Sequence, residues 1–298
     1  MSVATAAYLG IDIGGTKVAA RVEDDRETVG EWVFAWQPDG TVDHDLRLLR
    51  EHVTALRCRI GPLAGVGVAV PATLDRDGRV TAWPTRPSWV GLDLRALLAD
   101  LFPATTPRWA DDGDLAAVAE ARAWGHADLV YAGVGTGVGG GIVLGGRSAT
   151  GHRGSCEIGH LVVDLDGVRC DCGRLGCVQA VASGPAILRR ARALRGTGVT
   201  PTELVDGFVA QEDWAVEAVR RGSAALAAAL AGVAELVRPS AIVIGGGFAA
   251  ALPGYVDLVA SAAAALGRRG HPVPPVLPAR LGGASSLHGA VLAARGRS

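Results

Sequence analysis

The chain has 298 residues, of which 49% are hydrophobic, so it is long enough to bury one large core or two smaller ones. Its 29 basic and 30 acidic residues leave a net charge of −1, which disfavours a nucleic-acid-binding surface. The N-terminal residues lack the positive region and long apolar core of a secretion signal, and the apolar stretch 224–237 is interrupted by Gly232 and Glu235. We therefore expect a soluble, cytoplasmic protein with reduced thiols and neither a membrane nor a nucleic-acid partner.

The first predicted strand, residues 7–13, carries an acid next to its last residue and leads into a glycine turn that contains the only lysine of the chain. The turn residues are Gly14, Gly15, Thr16 and Lys17. Glycines let backbone N–H groups approach phosphate oxygens, the Thr16 hydroxyl can donate to them, and Asp12 can hold Mg²⁺ through water. The Walker pattern is absent, and an ordinary β-hairpin with a Gly-Gly turn explains the same residues without a ligand.

Alternation and helical spacing predict the next elements in chain order: strands at 18–23 and 31–36, a helix at 43–57, a strand at 65–70, a turn at 73–79, a loop with two tryptophans at 83–89 and a helix at 93–101. A further helix is predicted over 115–124, which places Asp111 and Asp112 at a strand-to-helix junction. Loops at such junctions commonly hold catalytic groups. Two adjacent acids can equally be solvated capping residues, and the local sequence alone favours that interpretation.

A second glycine-rich run, 133–141, lies between predicted strands at 129–132 and 142–144 and contains Thr136. Each glycine inside a regular element costs about 0.5–1 kcal/mol relative to alanine, so the run indicates that something approaches the backbone closely. We interpret it as a second phosphate-binding loop.

The next predicted elements are a helix starting at Ser183-Gly184-Pro185, a loop at 197–202 and a long Ala/Leu helix ending at Pro239. A strand at 241–244 then runs into a third glycine cluster, and a helix is predicted at 285–294. Strands that lead into helices, with glycines at several strand ends, predict an α/β fold with a ligand at the carboxyl ends of the strands.

Three of the five cysteines fall within eight residues and a histidine lies ten positions before them. The four residues are His160, Cys170, Cys172 and Cys177. Three thiolates and one imidazole complete a tetrahedral set for Zn²⁺ and leave no position open, which is typical of a structural site. The alternatives are inert buried thiols or a disulfide between two of them, but so dense a cluster without an export signal favours metal binding.

Taken together, the motifs resemble those of the ROK family of sugar kinases over nearly the whole chain. In chain order they are G-I-D-I-G-G-T-K, D-D-G-D-L-A-A-V-A-E, V-G-T-G-V-G-G-G, E-I-G-H, C-D-C-G-R-L-G-C, A-S-G and V-I-G-G-G. The resemblance implies an actin-like ATPase (ribonuclease H-like) fold with two α/β lobes around an inter-lobe cleft. It places a small lobe at 1–110 together with a C-terminal helix at 285–298, and a large lobe at 111–284. The large lobe contains the zinc loop, the segment that carries the four predicted zinc ligands.

The resemblance also implies transfer of the γ-phosphoryl group of ATP to a sugar hydroxyl, usually the 6-hydroxyl of a hexose. Asp112 matches the catalytic aspartate, and Glu157 and His160 match sugar contacts, with the second ring nitrogen of His160 facing the sugar. The first phosphate motif is matched by Asp12, Gly14, Gly15, Thr16 and Lys17, the second by Gly135, Thr136 and Gly137, and the adenosine contacts by Gly245, Gly246 and Gly247. Relatives are often oligomers, so we expect a homo-oligomer such as a dimer.

Two departures from the family pattern concern the sugar. Asp111 stands where the family usually has an asparagine near the 3-position of the sugar, and Gln179 stands where a glutamate near the anomeric end is common. A carboxylate pairs better with an ammonium than with a hydroxyl, because charged hydrogen bonds contribute about 1.5–3 kcal/mol against 0.5–1.5 for neutral ones. We therefore expect a 3-amino-3-deoxyglucose (kanosamine) 6-kinase, with an ordinary glucokinase as the alternative. A ROK transcriptional regulator is disfavoured because only nine residues precede Gly10, and a non-catalytic sugar-binding protein because Asp112 and both glycine loops are intact.

Overall fold

A computed structural model describes residues 6–38, 40–149 and 155–297. The N-terminal residues from which the lack of a secretion signal was inferred lie partly outside this range, as does the last residue of the predicted 285–298 segment. Within the described part of the chain, no helix combines the length and the apolar character needed to cross a lipid bilayer.

Twelve strands and ten helices follow one another along the described residues. In chain order they are β1 (Ala7–Ile13), β2 (Lys17–Glu23), β3 (Thr28–Ala35), α1 (Val42–Ile60), β4 (Leu63–Ala69), β5 (Thr73–Leu74), β6 (Val80–Ala82), α2 (Leu94–Leu101), β7 (Arg108–Ala110), α3 (Asp112–Trp124), β8 (Leu129–Val134), β9 (Val138–Leu144), β10 (Arg147–Ser148), α4 (Gln179–Ala182), α5 (Gly184–Arg195), α6 (Pro201–Val209), α7 (Asp213–Val237), β11 (Ala241–Gly245), α8 (Gly247–Ala251), α9 (Tyr255–Ala264), β12 (Val276–Pro278) and α10 (Ser285–Ala294).

The chain divides into two compact units. Unit 1 contains the described residues up to Ala119, together with Ser155 and the segment from Ala284. Unit 2 contains Glu120–Ala149 and Cys156–Gly283. The predicted lobe boundary after residue 110 stays a prediction.

Unit 1 is built on a sheet with strand order β3-β2-β1-β4-β7, in which β2 and β3 are antiparallel to their neighbours and β4 and β7 run parallel to β1. Helix α10 packs directly against β1 and β4 because those strands carry glycines where the helix passes. A Cβ atom on Gly65 or Gly67 would overlap the main chain of α10, and one on Gly10 would lie 2.6 Å from Cγ2 of Val291. The close approach of a backbone therefore accounts for these strand glycines.

Helix α1 shows how the sequence pattern places a helix on this sheet. Thr41 caps its first turn, and the apolar residues Leu49, Val53 and Leu56 fall on one buried face. The helix ends at Gly61, whose φ of 76° is available to glycine at little cost. The predicted helix at 43–57 is confirmed and extends to Ile60.

Unit 2 repeats the same strand pattern, with the order β10-β9-β8-β11-β12. Here β9 and β10 form antiparallel pairs, whereas β11 and β12 run parallel to β8. Every residue of β11 is buried, as expected for a central parallel strand with both faces covered. Helices α5 and α9 each pack against α7, which buries a face of small residues and leucines.

The structure differs from the predicted elements at several places, of which four are instructive. Helix α3 begins at Asp112 rather than at residue 115, and the later part of the glycine-rich run at 133–141 lies inside β9. The predicted loop at 197–202 contains the start of α6, where Thr200 and Glu203 form a capping box. The predicted turn at 73–79 opens with the short strand β5, which pairs with β6. In each case a cap or a strand pairing extends regular structure into residues whose composition is typical of turns.

Candidate functional site

The first glycine turn joins β1 to β2 at the edge of unit 1. The main-chain N–H of Gly14 donates to the carbonyl oxygen of Lys17 at 3.0 Å and closes a tight hairpin. Gly15 lies so close to Thr85 that a Cβ atom there would overlap the threonine side chain. Thr16 and Lys17 are exposed, and among the described residues none accepts a hydrogen bond from the main-chain N–H of Gly15 or Thr16. The residues do form a hairpin, and that hairpin presents donors rather than acceptors.

Asp12 lies one residue before the end of β1, beside the start of α10. Its Oδ2 accepts a hydrogen bond of 2.6 Å from the hydroxyl of Ser286. Burial raises the pKa of Asp12 above its usual value, and the bond from Ser286 and the charge of Lys17 partly offset this. Ser286 was not predicted as part of the site, because 274 residues separate it from Asp12 and the serine carries no local motif.

Two carboxylates stand at the start of α3, directly after β7. Asp111 caps the helix, since its Oδ1 accepts from the main-chain N–H of Gly113 at 3.0 Å. Asp112 is the first helical residue, not a loop residue as predicted. Burial raises the pKa of Asp112 to about 7, and the negative charges of Asp111 and Asp12 add to the effect. Within unit 1 the structure therefore gathers the three predicted acids into one electrostatically coupled cluster.

The second glycine turn joins β8 to β9 in unit 2. Gly135 donates to the carbonyl oxygen of Gly137 at 2.9 Å, and the carbonyl oxygen of Gly135 accepts from Gly184 at the start of α5 at 2.9 Å. Only the residues 135–137 form this turn. Gly140 belongs to β9, where a Cβ atom would lie 2.6 Å from Cδ1 of Ile158, so its small size serves packing and not ligand approach.

The third glycine cluster follows β11 and lies against the second turn. Gly246 has a φ of 90°, and a Cβ atom there would overlap the main chain of Val134. Since β11 pairs with β8 up to Gly245 and Gly133, the glycines at 245–247 and the turn at 135–137 share one end of the sheet. The two predicted nucleotide-binding segments of unit 2 are thus neighbours.

Glu157 and His160 flank a single turn of 3₁₀ helix at Ile158–His160, which packs on β9. Glu157 is exposed and His160 is half-buried. Gln179, the first residue of α4, directs its amide oxygen toward this turn. That oxygen accepts from the main-chain N–H of Val138 at 3.1 Å, and it lies where Cβ atoms on Gly137 or Gly159 would be crowded. Gln179 therefore links the phosphate turn to the predicted sugar-binding turn.

The predicted zinc residues converge on one point. The donor atoms of His160, Cys170, Cys172 and Cys177 all lie within 4.8 Å of one another. Nδ1 of His160 is 3.7 Å from Sγ of Cys170, and the sulfurs of Cys172 and Cys177 are 3.6 Å apart. A Zn²⁺ ion with Zn–S bonds of about 2.3 Å and Zn–N bonds of about 2.0–2.1 Å needs edges of about 3.5–3.8 Å, so the residues fit this ion.

The disulfide alternative does not describe this structure. All five cysteines are free thiols, and a sulfur–sulfur distance of 3.6 Å is far longer than the disulfide bond length of about 2.05 Å. Burial raises the pKa of Cys177 to about 12, with the neighbouring thiols acting in the same direction. A cation that displaces its proton would reverse this preference for the neutral form.

Comparison with known proteins gives a consistent result. The sequence model of the ROK family matches residues 8–297. A protein of Amycolatopsis mediterranei named kanosamine kinase is 54% identical over 286 residues, which cover 95% of this chain and 94% of that protein. Two crystal structures are similar in fold. The ROK hexokinase from Thermus thermophilus has a TM-score of 0.86 and 32% identity, covering 97% of this chain and 98% of its own. A ROK family glucokinase from Streptomyces griseus, in complex with glucose and AMPPNP, has a TM-score of 0.82 and 28% identity, covering 97% and 99%.

Proposed function

This chain belongs to the ROK family, and on that basis we propose that it is an ATP-dependent kinase of the 6-hydroxyl of an amino hexose, 3-amino-3-deoxyglucose (kanosamine). The observation that carries the proposal is the pair of carboxylates at the start of α3, where Asp111 adds a second negative charge beside Asp112. The 54% identity to a protein named kanosamine kinase supports the same substrate class. The relatives named glucokinase support glucose more distantly, at 28–32% identity.

Asp112 acts as the general base. Its carboxylate accepts the proton of the sugar 6-hydroxyl while that oxygen forms a bond to the γ-phosphorus of ATP and the bond from phosphorus to the ADP oxygen breaks. The products are the sugar 6-phosphate and ADP. A base whose pKa lies near 7 is well matched to this task, because about half of it is ionised at pH 7 and it is still basic enough to take the proton.

The two glycine turns and the glycines at 245–247 bind the nucleotide in this proposal. Exposed main-chain N–H groups, the Thr16 hydroxyl and the Lys17 ammonium complement the phosphate oxygens, and phosphoryl transfer needs chiefly such positioning and charge neutralisation. Asp12 would hold Mg²⁺ through water, and the ion would supply neutralisation of phosphate charge when bound. The cluster of three acids in unit 1 fits a cation, since burial and then the charges of Asp111 and Asp12 raise the pKa of Asp112, and a cation would offset the repulsion among the three.

His160, Cys170, Cys172 and Cys177 would hold a structural Zn²⁺ ion, which would supply a fixed geometry for the loop. Because Nδ1 of His160 faces the thiols, its Nε2 is the nitrogen left to contact the sugar, and metal ligation would fix that tautomer. Glu157 precedes the same 3₁₀ turn and in this proposal accepts hydrogen bonds from sugar hydroxyls. Gln179 supports this turn from its hydrogen bond with Val138.

Asp111 sets the preference between amine and hydroxyl in this proposal. The Asp111→Asn variant tests it well, because asparagine also caps helices and the substitution removes charge while keeping the shape. We expect the ratio of kcat/KM for kanosamine to kcat/KM for glucose to fall about tenfold in Asp111→Asn. Asp43→Asn, the same change in the exposed first turn of α1, is the matched control and should leave the ratio unchanged.

Both sugars should be assayed side by side in the wild-type chain and in the two variants. A wild-type preference for glucose would overturn the amino-sugar assignment and leave a glucokinase. Absence of phosphoryl transfer to either sugar would overturn the kinase itself. The expected homodimer and cytoplasmic location belong to the same proposal, and sedimentation analysis of the purified chain would test the dimer.

A further inference from the structure

The four carbonyl oxygens of the first glycine turn all accept hydrogen bonds from within unit 1. Two of the donors are buried side chains that lie far away in the sequence. The contacts are Gly14 O with Trp36 Nε1 at 2.8 Å, Gly15 O with Arg86 Nε at 3.0 Å, Thr16 O with the main-chain N–H of Trp36 at 3.0 Å, and Lys17 O with the main-chain N–H of Gly14 at 3.0 Å.

This arrangement fixes the polarity of the turn. A carbonyl oxygen that faced a phosphate would repel it, and each peptide plane that turns its oxygen toward Trp36 or Arg86 turns the following N–H the other way. With the oxygens satisfied inside the protein, the exposed groups are N–H donors, the Thr16 hydroxyl and the Lys17 ammonium. The turn therefore presents an anion-binding surface before any ligand arrives.

Arg86 is itself held in place by buried partners. Its Nη1 is 2.8 Å from Oδ2 of Asp45, and the two side chains are only 6% and 0% exposed. The same Asp45 oxygen accepts from the indole of Trp89 at 2.9 Å, and the guanidinium lies over the ring of Trp36 at 5.2 Å from its centroid. The planar guanidinium donates to Gly15, Asp45 and Gln37 from three separate nitrogens, whereas a lysine has a single nitrogen and cannot reproduce this spacing.

We propose that Trp36 and Arg86 are positioning residues that orient the peptide groups of the first glycine turn toward the terminal phosphates of the nucleotide. The proposal rests on the function proposed above. Neither residue touches substrate; each acts through a carbonyl oxygen of the turn. Loss of one donor would free a peptide plane to rotate, and the cost would fall on nucleotide binding while leaving sugar binding unaffected.

Trp36→Phe tests this, with Trp83→Phe as its matched control. Both tryptophans are buried in the same hydrophobic core, so both changes remove the same atoms from a similar environment. They differ in their polar contacts: Trp36 donates to Gly14 and its ring lies beneath the Arg86 guanidinium, whereas the indole nitrogen of Trp83 has no hydrogen-bond partner among the described residues. A merely structural role for Trp36 would thus be matched by the control.

We expect Trp36→Phe to raise the Kd for AMPPNP and the KM for ATP about two- to tenfold relative to Trp83→Phe, with an unchanged KM for the sugar. Arg86→Lys, which keeps the charge but not the fork of donors, should shift the same two constants in the same direction. Equal nucleotide affinities in Trp36→Phe and Trp83→Phe, or an equal shift for sugar and nucleotide, would overturn the inference. A wild-type chain that binds no AMPPNP would instead overturn the proposed function.

Discussion

Asp112 begins α3 with Asp111 immediately before it, and the carboxylate of Asp12 acts on the same titration. Burial and these two charges favour its neutral form, so the folded protein binds a proton there more tightly than the unfolded chain does. The ionised carboxylate consequently opposes folding at neutral and alkaline pH. In the proposed reaction this loss of stability is offset by catalysis, because a base with a pKa near 7 accepts a proton more effectively than one with the usual carboxylate pKa.

The Asp112→Asn variant should separate the two consequences. We expect kcat to fall about 10²- to 10⁴-fold, because the proton of the sugar hydroxyl loses its acceptor. In the absence of ligands, the melting temperature at pH 8 should rise by about 2–4 °C for each kcal/mol of repulsion removed. At pH 4, where Asp112 is protonated in the folded protein and about half protonated in the unfolded chain, the gain should shrink. A coupled ADP-release assay and thermal denaturation at both pH values measure these effects, and an active variant would rule out the assigned base.

The pH dependence of the wild-type enzyme gives an independent test. Asp112 must be ionised to accept a proton, so kcat/KM should fall as the pH drops below about 7. Asp111→Asn removes one of the charges that raise this pKa, and the acidic limb should therefore move to lower pH. Rate profiles between pH 5 and pH 9 for both proteins, taken with saturating ATP, would show the shift. A limb that stays in place in Asp111→Asn would contradict the coupling.

The sequence identified these carboxylates but not the residues that support them. Asp111 and Asp112 were predictable because a strand, two acids and a helix pattern are local features. Ser286, Trp36 and Arg86 were not, since each meets its partner across a long sequence separation and none belongs to a local motif. Predicting such contacts requires the topology that brings α10 and the tryptophan-containing loop beside β1.

The zinc loop is the element with the least regular structure of its own. Between the 3₁₀ turn and α4 the chain is paired by two isolated bridges, Val162 with Cys177 and Arg169 with Leu175, and by the main-chain hydrogen bonds of its turns. Leu165 is 85% exposed, so packing contributes little there. A loop without regular secondary structure gains stability from a cross-link, and the four converging predicted ligands are suited to supply it.

Removal of the metal should therefore unfold this loop without unfolding unit 2. We expect one Zn²⁺ per purified chain, and after chelation a large loss of amide hydrogen-exchange protection over residues 158–178. Cys172→Ser should reproduce the loss, because it removes one ligand. Cys58→Ser is the control, as Cys58 is an exposed thiol in α1 outside the cluster. Unchanged exchange in the chelated protein would show that the loop does not need the ion.

Elements with strong local signals were predicted with small errors at their ends. Helix α10 matches its predicted span, and α1 differs only by a few residues at its C-terminus. The glycine-rich run at 133–141 was misjudged in part, because glycines that receive a ligand and glycines that receive Ile158 look alike in a sequence. Only the packing partner distinguishes the two.

The two large sheets of the chain share one strand order, and in each the first strand leads into a glycine hairpin. In the first turn Trp36 and Arg86 donate to carbonyl oxygens, whereas in the second Gly184 donates to the carbonyl oxygen of Gly135 and Gln179 accepts from the main-chain N–H of Val138. A repeated scaffold has thus acquired different supports for similar turns. Such supports are specific to each unit, which explains why the glycine motifs were recognisable in the sequence and their surroundings were not.

Because the whole chain contains a single lysine, one of these turns can be labelled selectively. Lys17 is the only lysine among 298 residues, and it is exposed at the first turn. Reductive methylation of the purified protein should therefore modify only the N-terminal amine and Lys17, as read by mass spectrometry. Phosphate oxygens that contact the ammonium would shield it, so saturating AMPPNP with Mg²⁺ should slow the labelling of Lys17 about tenfold or more while the N-terminal amine reacts as before. Sugar alone should give no protection. Equal labelling of Lys17 with and without nucleotide would show that this amine does not face the phosphates, and the role assigned to the first glycine turn would then be wrong.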